Sequence, residues 1–490
     1  MRKVMMVVLF VSTIFLSMFG LQKNVTAQDK GTPKKEVYTI ALDSTFAPFE
    51  FQNENGEYVG IDVDLIDAIA KEEGFTIRKV FPGFQAAVDQ VQAGQADGMI
   101  AAMSITQERK KSFDFSEPYY DSNIKIAVAK KNEDQLKNLS DLKGKVVGVK
   151  NGTSSQTWLV EHQKEYGYTL KAFDDGSIMY DSLAINAVFA IMDDGPVLDY
   201  AVQQGKDLAT PLTPEPAGQY GFAVKKDTNS ELIEMFNNGL KKLKANGDYE
   251  RILSNYIGVN ATSGTSENTH DETTIVGLIQ TNWISLANGL WRTVLMALAA
   301  FVLATIVGIV FGLFSVAPSR ILRTISTIYV DILRGVPLMV LAFFIFYGLP
   351  QMIHGFLLND FVAGILALTL NASAYISEIV RGGINAVPKG QMEAARSLGL
   401  GYIRTMQKII LPQAIKMMLP SFVNQFVISL KDTTIISVLG VVELLQAGKI
   451  IVARNLQSFN VYLIIGVMYL IVITILTKLS KLLEKRVSAS

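Results

Sequence analysis

Five apolar stretches in the second half of this 490-residue chain constrain it most. They lie near residues 286–316, 325–349, 361–380, 415–439 and 461–479. Each is close to or above the ~20 residues that an α-helix needs to cross the hydrocarbon core. In lipid every backbone N–H and C=O must find its partner inside the segment, so runs of this length fold as helices.

Positive charge orients the spans. Arg320 and Arg323 follow the first. The loop after the second has no Lys or Arg between Pro350 and Asp360. Arg381, Lys389, Arg396, Arg404 and Lys408 follow the third, and Lys478, Lys481, Lys485 and Arg486 fill the tail. This pattern puts the first loop, the third loop and the C-terminus in the cytoplasm. Lys449 and Arg454, on the opposite side, count against it.

The N-terminus agrees with that orientation. Arg2 and Lys3 precede an uncharged apolar run, Val4 to Leu21, and Val25-Thr26-Ala27 offers small residues for cleavage before Gln28. Residues 1–27 read as a signal peptide, or as an uncleaved anchor, and either places the next segment outside the cytoplasm. The 45 basic and 45 acidic residues balance, so nothing points to nucleic acid. With no cysteine, disulfides, thiolate metal sites and a lipidated cysteine are excluded, and the membrane half is the natural tether.

Residues 36–258 alternate short β-rich runs with helical periods, as α/β folds do. Tyr38 to Leu42, Asp97 to Ala102 and Lys145 to Val149 read as strands; Asp62 to Glu73 and Phe84 to Ala93 read as helices. Ligands in such folds sit at the carboxyl ends of strands. Residues 259–274 are rich in Ser, Thr, Asn and Gly, and read as a flexible linker.

Polar groups concentrate at those strand ends, around Asp43 to Phe51, Ala101 to Arg109, Lys150 to Ser154, and Asp193-Asp194. One guanidinium, one ammonium, carboxylates, hydroxyls and aromatics make a set suited to a zwitterion. Arg109 can take a carboxylate bidentately, and a helix beginning near Ser154 adds N–H groups to it. Asp194 can take an ammonium. Phe46 and Phe84 also fit as plain core aromatics, Lys150 as a surface strand end, and Asp193-Asp194 as the start of a turn before Pro196.

Two motif sets carry a resemblance. Pro48-Phe49-Glu50-Phe51, Gly60 to Leu65, Ser104 to Arg109 and Asp114 to Tyr120 make residues 36–258 similar to the polar-amino-acid-binding proteins of ABC importers. The resemblance implies a bilobal α/β clamp of the periplasmic-binding-protein type II. Lobe one would span 36–123 and 221–258, and lobe two 124–220, with hinge strands near 124–130 and 218–224. It also implies roles. Arg109, Ser104, Ala102 and Ser154 would hold the α-carboxylate, and Ala101 and Thr153 would also line the binding site. Asp194 and the Ala102 carbonyl would hold the α-ammonium. Phe46 and Phe84 would sandwich the side chain, and Asp43, Lys150 and Asp193 would address its far end.

Glu393-Ala394-Ala395, Gly399 and Ile409-x-Leu411-Pro412 match the cytoplasmic signature of ABC importer permeases, and Arg334-Gly335-Val336-Pro337-Leu338 fits the same family over 280–485. The resemblance implies that segment 393–412 docks on a separate ABC ATPase, with Glu393 at a helix start, Gly399 ending that helix and Pro412 breaking the next. No G-x-x-x-x-G-K-[ST] occurs: Gly144-Lys145 runs into Val146 and Gly448-Lys449 into Ile450, so ATP belongs to the partner. An import path needs two permease units, so a homodimer with two ATPase subunits in the plasma membrane is expected. The whole resembles the fused glutamine permeases of Gram-positive bacteria, with a binding domain outside the cell.

The expected function is import of a polar amino acid, glutamine first. Asp193 stands where glutamine-binding members carry a histidine, which keeps glutamate, asparagine and a basic amino acid open. A ligand-gated channel or receptor is a further reading, but lobe one is complete before the membrane half begins. His162, His270 and His354 are scattered and form no catalytic constellation, so an enzyme is not expected, nor any metal or cofactor.

Overall fold

The computed structural model describes residues 35–53, 55–173, 176–257, 272, 274–353, 358–455 and 457–489. The expected signal peptide and nearly all of the linker lie outside these residues.

Two sheets build the first half. In the first, strands run in the order Thr76–Val80, Val37–Ala41, Gly98–Met99, Ala223–Lys225, Phe113–Phe115. Val37–Ala41 is parallel to both neighbours, as expected of strands joined by crossover helices. The helix Ile61–Glu73 shows why. Ile61, Leu65, Ile66 and Ile69 are fully buried, while Lys71 and Glu72 face water. Each such aliphatic side chain contributes about 1.5–3 kcal/mol by leaving water. Gly74 then ends the helix at φ +72°, a left-handed turn that glycine adopts freely.

The second sheet runs Leu208–Ala209, Tyr120–Ala129, Ala190–Asp194, Val146–Lys150, Thr169–Phe173, with Glu215–Tyr220 also pairing to Tyr120–Ala129. The chain leaves the first sheet after Phe113–Phe115 and returns to it at Ala223–Lys225. The long antiparallel pair Tyr120–Ala129 and Glu215–Tyr220 therefore forms the two crossings between lobes.

The second half is helical. Among the described residues four helices are long and apolar enough to cross a membrane: Ile275–Ser315, Asp360–Ala386, Tyr402–Leu439 and Ser458–Lys478. The second expected span differs from expectation. It is a bent pair, Arg320–Gly335 and Leu338–Gly348, turning by 102° at the break. Pro337 lacks an N–H and pushes Val336 into an extended conformation, which interrupts the helix there.

The tightest packing follows small residues at four-residue spacing. Ala300, Ala304, Gly308 and Gly312 are buried along one face of Ile275–Ser315, against Asp360–Ala386. A Cβ on Gly308 would lie 2.6 Å from Ile376 Cγ2, so only glycine lets the backbones come this close. The opposite faces expose Val302, Ile306 and Ile309, as lipid-facing positions do. At ~1.5 Å per residue a 41-residue helix reaches about 60 Å, twice the hydrocarbon thickness. The start of Ile275–Ser315 therefore projects beyond the bilayer, and Ser285 lies beside Gly56 of the first lobe.

Candidate functional site

Four strand ends converge on one cleft. Val37–Ala41 leads to Asp43, Gly98–Met99 to Ala101 through Ser104, Val146–Lys150 ends on Lys150, and Ala190–Asp194 ends on Asp194. Asp43, Phe46, Phe84, Ala101, Ala102, Ser104, Arg109, Lys150, Thr153, Ser154 and Asp194 line one cavity. About 350 Å³ of space, part of it open to solvent, lies between these residues.

The walls already meet across the cleft. Ser104 Oγ and Ser154 Oγ are 2.8 Å apart. Arg109 donates from Nη1 to the Ser104 carbonyl at 2.9 Å and from Nη2 to the Gly152 carbonyl at 3.0 Å. Lys150 Nζ lies 3.4 Å from Asp43 Oδ2. These contacts join the two lobes in a closed arrangement. Thr153 caps the helix Ser154–Tyr166 by accepting from the Gln156 N–H at 3.2 Å, which fixes the helix start at the cleft edge.

The aromatic pair meets a cation. The Lys150 ammonium lies 5.6 Å from the Phe46 ring centre and 5.8 Å from that of Phe84, while the Arg109 guanidinium lies 5.5 Å from Phe84. The place expected for a sandwiched side chain is therefore bordered by Lys150. Such contacts contribute about 0.5–2 kcal/mol each, depending on desolvation.

Asp193 departs from the other eleven expected residues. It lines a neighbouring cavity with Thr45, Tyr180, Val197 and Arg454, and the Tyr180 hydroxyl donates to its Oδ2 at 2.9 Å. Successive strand residues point to opposite faces, so Asp193 and Asp194 cannot both face one cleft squarely. Lys150 and Phe46 line both cavities and join them.

Burial, and Asp193 beside it, push the Asp194 carboxyl up to about 7, against the opposing pull of the Tyr220 hydroxyl, Lys150 and Arg109. Tyr220 donates to Asp194 Oδ2 and in turn sits 2.7 Å from Ser122 Oγ. Sequence reading did not assign Tyr220, since its partner lies 26 positions away.

A second group of carboxyls lies under the cleft. Ala102 has φ +45°, a strained value for a residue with a Cβ. Its N–H donates to Asp62 Oδ2 at 2.7 Å, and the Tyr119 hydroxyl donates to the same oxygen at 2.8 Å. Burial raises Asp62 to about 7, and Glu50, fully buried next to it, is raised by burial and by Asp62. Asp62 thus positions the Ala102 peptide. The Asp-Val-Asp motif was legible in the sequence; its contact with Ala102, 40 positions on, was not.

The expected docking segment is a short helix, Lys389–Ser397. Glu393 and Ala394 are exposed and Ala395 is buried. Glu393 lies more than a turn inside the helix, not at its start as the sequence reading had it, because the helix begins directly after Pro388. Gly399, at φ +81°, turns the chain beyond it. Pro412 does not break the next helix: a π-turn over Met406–Ile410 precedes it, and the helix continues to Leu439. The wider turn accommodates the missing proline N–H. Glu378 and Arg381 pair at 2.6 Å. Among the histidines, His162 stacks on Trp158, 4.1 Å between ring centres, while His270 and His354 lie outside the described residues.

Comparison with known proteins matches both halves. Residues 38–259 match the family described as bacterial extracellular solute-binding proteins, family 3. Residues 304–489 match that described as binding-protein-dependent transport system inner membrane component. The probable glutamine ABC transporter permease protein GlnM of Bacillus subtilis (strain 168) is 34% identical over 215 residues, 44% of this chain and 99% of its own length. The arginine transport system permease protein ArtQ of the same organism is 33% identical over 205 residues, 42% of this chain and 93% of its own. Among solved structures, substrate binding domain 2 of Lactococcus lactis GlnP in open conformation shares 57% identity over 46% of this chain and 97% of that one, with a TM-score of 0.38.

Proposed function

Because this chain belongs to the binding-protein-dependent transport permeases of amino-acid ABC importers, with a family 3 solute-binding domain fused ahead of the permease, we propose that its cargo is glutamine. The matched relatives are transport components, not enzymes, and a permease of this family works with an ABC ATPase.

One observation carries the choice of cargo. The Lys150 ammonium borders the side-chain end of the cleft, between Phe46 and Phe84 and 3.4 Å from Asp43. An arginine or lysine side chain would bring a second cation against it at a cost. A carboxamide finds a donor in Lys150 and an acceptor in Asp43 with no charge left unmatched. Glutamate is the second reading, since Lys150 can also meet a γ-carboxylate, but Asp43 opposes that charge.

The α-carboxylate would take Arg109 together with Ser104 and the start of the Ser154–Tyr166 helix, with Ala101, Ala102 and Thr153 shaping the wall. The α-ammonium would take Asp194 and the Ala102 carbonyl. Binding favours the closed clamp by contacting both lobes at once. The closed domain then delivers to the permease, and ATP binding by the partner moves the Glu393 segment. Exposed Leu398 and Ile403 beside exposed Ala394 give that segment an apolar face for the ATPase. Two copies of the chain with two ATPases would close the path, in the plasma membrane, with the binding domains outside.

Calorimetric titration of the full chain in nanodiscs with glutamine, glutamate, asparagine, arginine and histidine tests this. Glutamine is expected to bind most tightly. Arginine binding tenfold tighter than glutamine would overturn the carboxamide assignment.

A further inference from the structure

The contact between the binding domain and the membrane half centres on Arg454, which ends the short helix Leu444–Asn455. Its Nη1 donates to the Asn53 carbonyl of the first lobe at 2.9 Å. Its Nη2 donates to Asn282 Oδ1 at 3.0 Å and to Glu272 Oε1 at 2.5 Å. Asn282 and Asn455 each donate to Glu272 as well, both at 3.2 Å. Four separate parts of the chain therefore meet at one ion pair: the first lobe, the segment leading out of the binding domain, the first membrane helix and Leu444–Asn455.

The second lobe reaches the same place. Leu444–Asn455 packs on strand Phe51–Gln52 of the first lobe and on helix Gly176–Ala184 of the second. Arg454 closes the cavity that Thr45 and Phe46 line from one lobe and Tyr180 and Asp193 from the other. Lys206, also of the second lobe, borders this cavity; burial lowers its ammonium to about 8, while Glu272 pulls the other way.

We propose that Arg454, held by Glu272, is the permease-side residue that recognises the binding domain of its own chain only when the two lobes have closed. A single short helix can touch both Phe51–Gln52 and Gly176–Ala184 only while the lobes stand in one relative position. The cross-cleft contacts of Arg109, Lys150 and Ser104 define that position. Opening the clamp about the two crossing strands moves one lobe off the helix and uncovers the ion pair to water, where such a pair is worth little. Arg454 touches no cargo and acts through position. This inference rests on the amino-acid importer reading and adds which residue reports closure to the permease.

The chain has no cysteine, so docking can be read with an introduced pair. A Cβ on Gly56 would lie 3.4 Å from Ser285 Oγ, so Gly56→Cys with Ser285→Cys reports docking. Because Gly56 has φ +80° and its N–H donates to the Asn53 carbonyl that Arg454 also meets, the reduced pair must first show wild-type glutamine-stimulated hydrolysis. The experiment uses the full chain with its ATPase in nanodiscs and glutamine as the probe. It measures glutamine affinity, cross-linking yield and glutamine-stimulated ATP hydrolysis. Glutamine is expected to raise cross-linking in the wild-type background. Arg454→Ala and Glu272→Gln are expected to lower cross-linking and stimulated hydrolysis at least fivefold, with affinity within about threefold of wild type. Wild-type cross-linking and hydrolysis in Arg454→Ala would overturn the proposal. So would glutamine that binds without changing cross-linking. If none of the five amino acids binds, the cargo reading fails separately; cross-linking lost in Arg454→Ala still supports the latch, and cross-linking retained overturns it.

Discussion

If Asp194 holds the cargo's α-ammonium, cargo affinity depends on pH, and the sign follows from the cleft. Burial, then the neighbouring Asp193, raise its carboxyl to about 7, while Tyr220, Lys150 and Arg109 pull it down. The unliganded cleft therefore holds a proton on Asp194 below pH 7. An α-ammonium needs the carboxylate, so that proton must leave before cargo binds, and affinity falls as pH falls. With a value of about 7, the ionised fraction drops from about 0.75 at pH 7.5 to about 0.01 at pH 5, so the dissociation constant rises about 75-fold, or ~2.6 kcal/mol. Titration calorimetry of the full chain across this range is the assay. Asp194→Asn, with no carboxylate to ionise, is expected to bind at pH 7.5 at least as weakly as wild type does at pH 5, and to show no rise in affinity between pH 5 and 7.5. Asp62, also raised to about 7, titrates in the same window. Asp62→Asn keeps an oxygen for Ala102 and Tyr119 and is expected to keep the slope. A wild-type dissociation constant constant within twofold from pH 7.5 to 5 would refute the assignment of Asp194 to the ammonium.

Three further outcomes are expected. Arg109→Ala removes the guanidinium that bridges Ser104 and Gly152; hydrogen bonds to charged groups are worth ~1.5–3 kcal/mol, so glutamine affinity should fall about 10- to 150-fold, and unchanged calorimetric affinity would remove Arg109 from the site. Glu393→Lys should abolish radiolabelled uptake in vesicles while leaving the dissociation constant within twofold; normal uptake would detach Glu393 from ATPase coupling. Gly308→Leu places a Cβ 2.6 Å from Ile376 Cγ2 and 2.8 Å from the Ser373 carbonyl; overpacking of this kind costs ~1–3 kcal/mol, and a wild-type melting temperature in detergent would show that the two helices separate freely.

Sequence alone determined what depends on local period and on chemistry at strand ends. Helix and strand runs, the apolar segments and the polar stretches at four strand ends were legible because each is written within a few neighbouring positions; Phe84 and the individual roles came only with the resemblance. The break at Pro337 was present in the residues, but its 102° turn depends on which helices pack on either side. Asp193 lines the adjoining cavity, because alternation along a strand divides it from Asp194. Only the tertiary structure decided the long-range pairs. The Ala102 N–H is held by Asp62, 40 positions earlier, and Arg454 meets Asn53 across 401 positions. In sequence, Arg454 was a positive charge on the unexpected side of the membrane. In the fold it is answered by Glu272 and lies half-buried against the binding domain. Contacts at such separations leave no period in the chain; they exist only once two independently legible halves are set against each other.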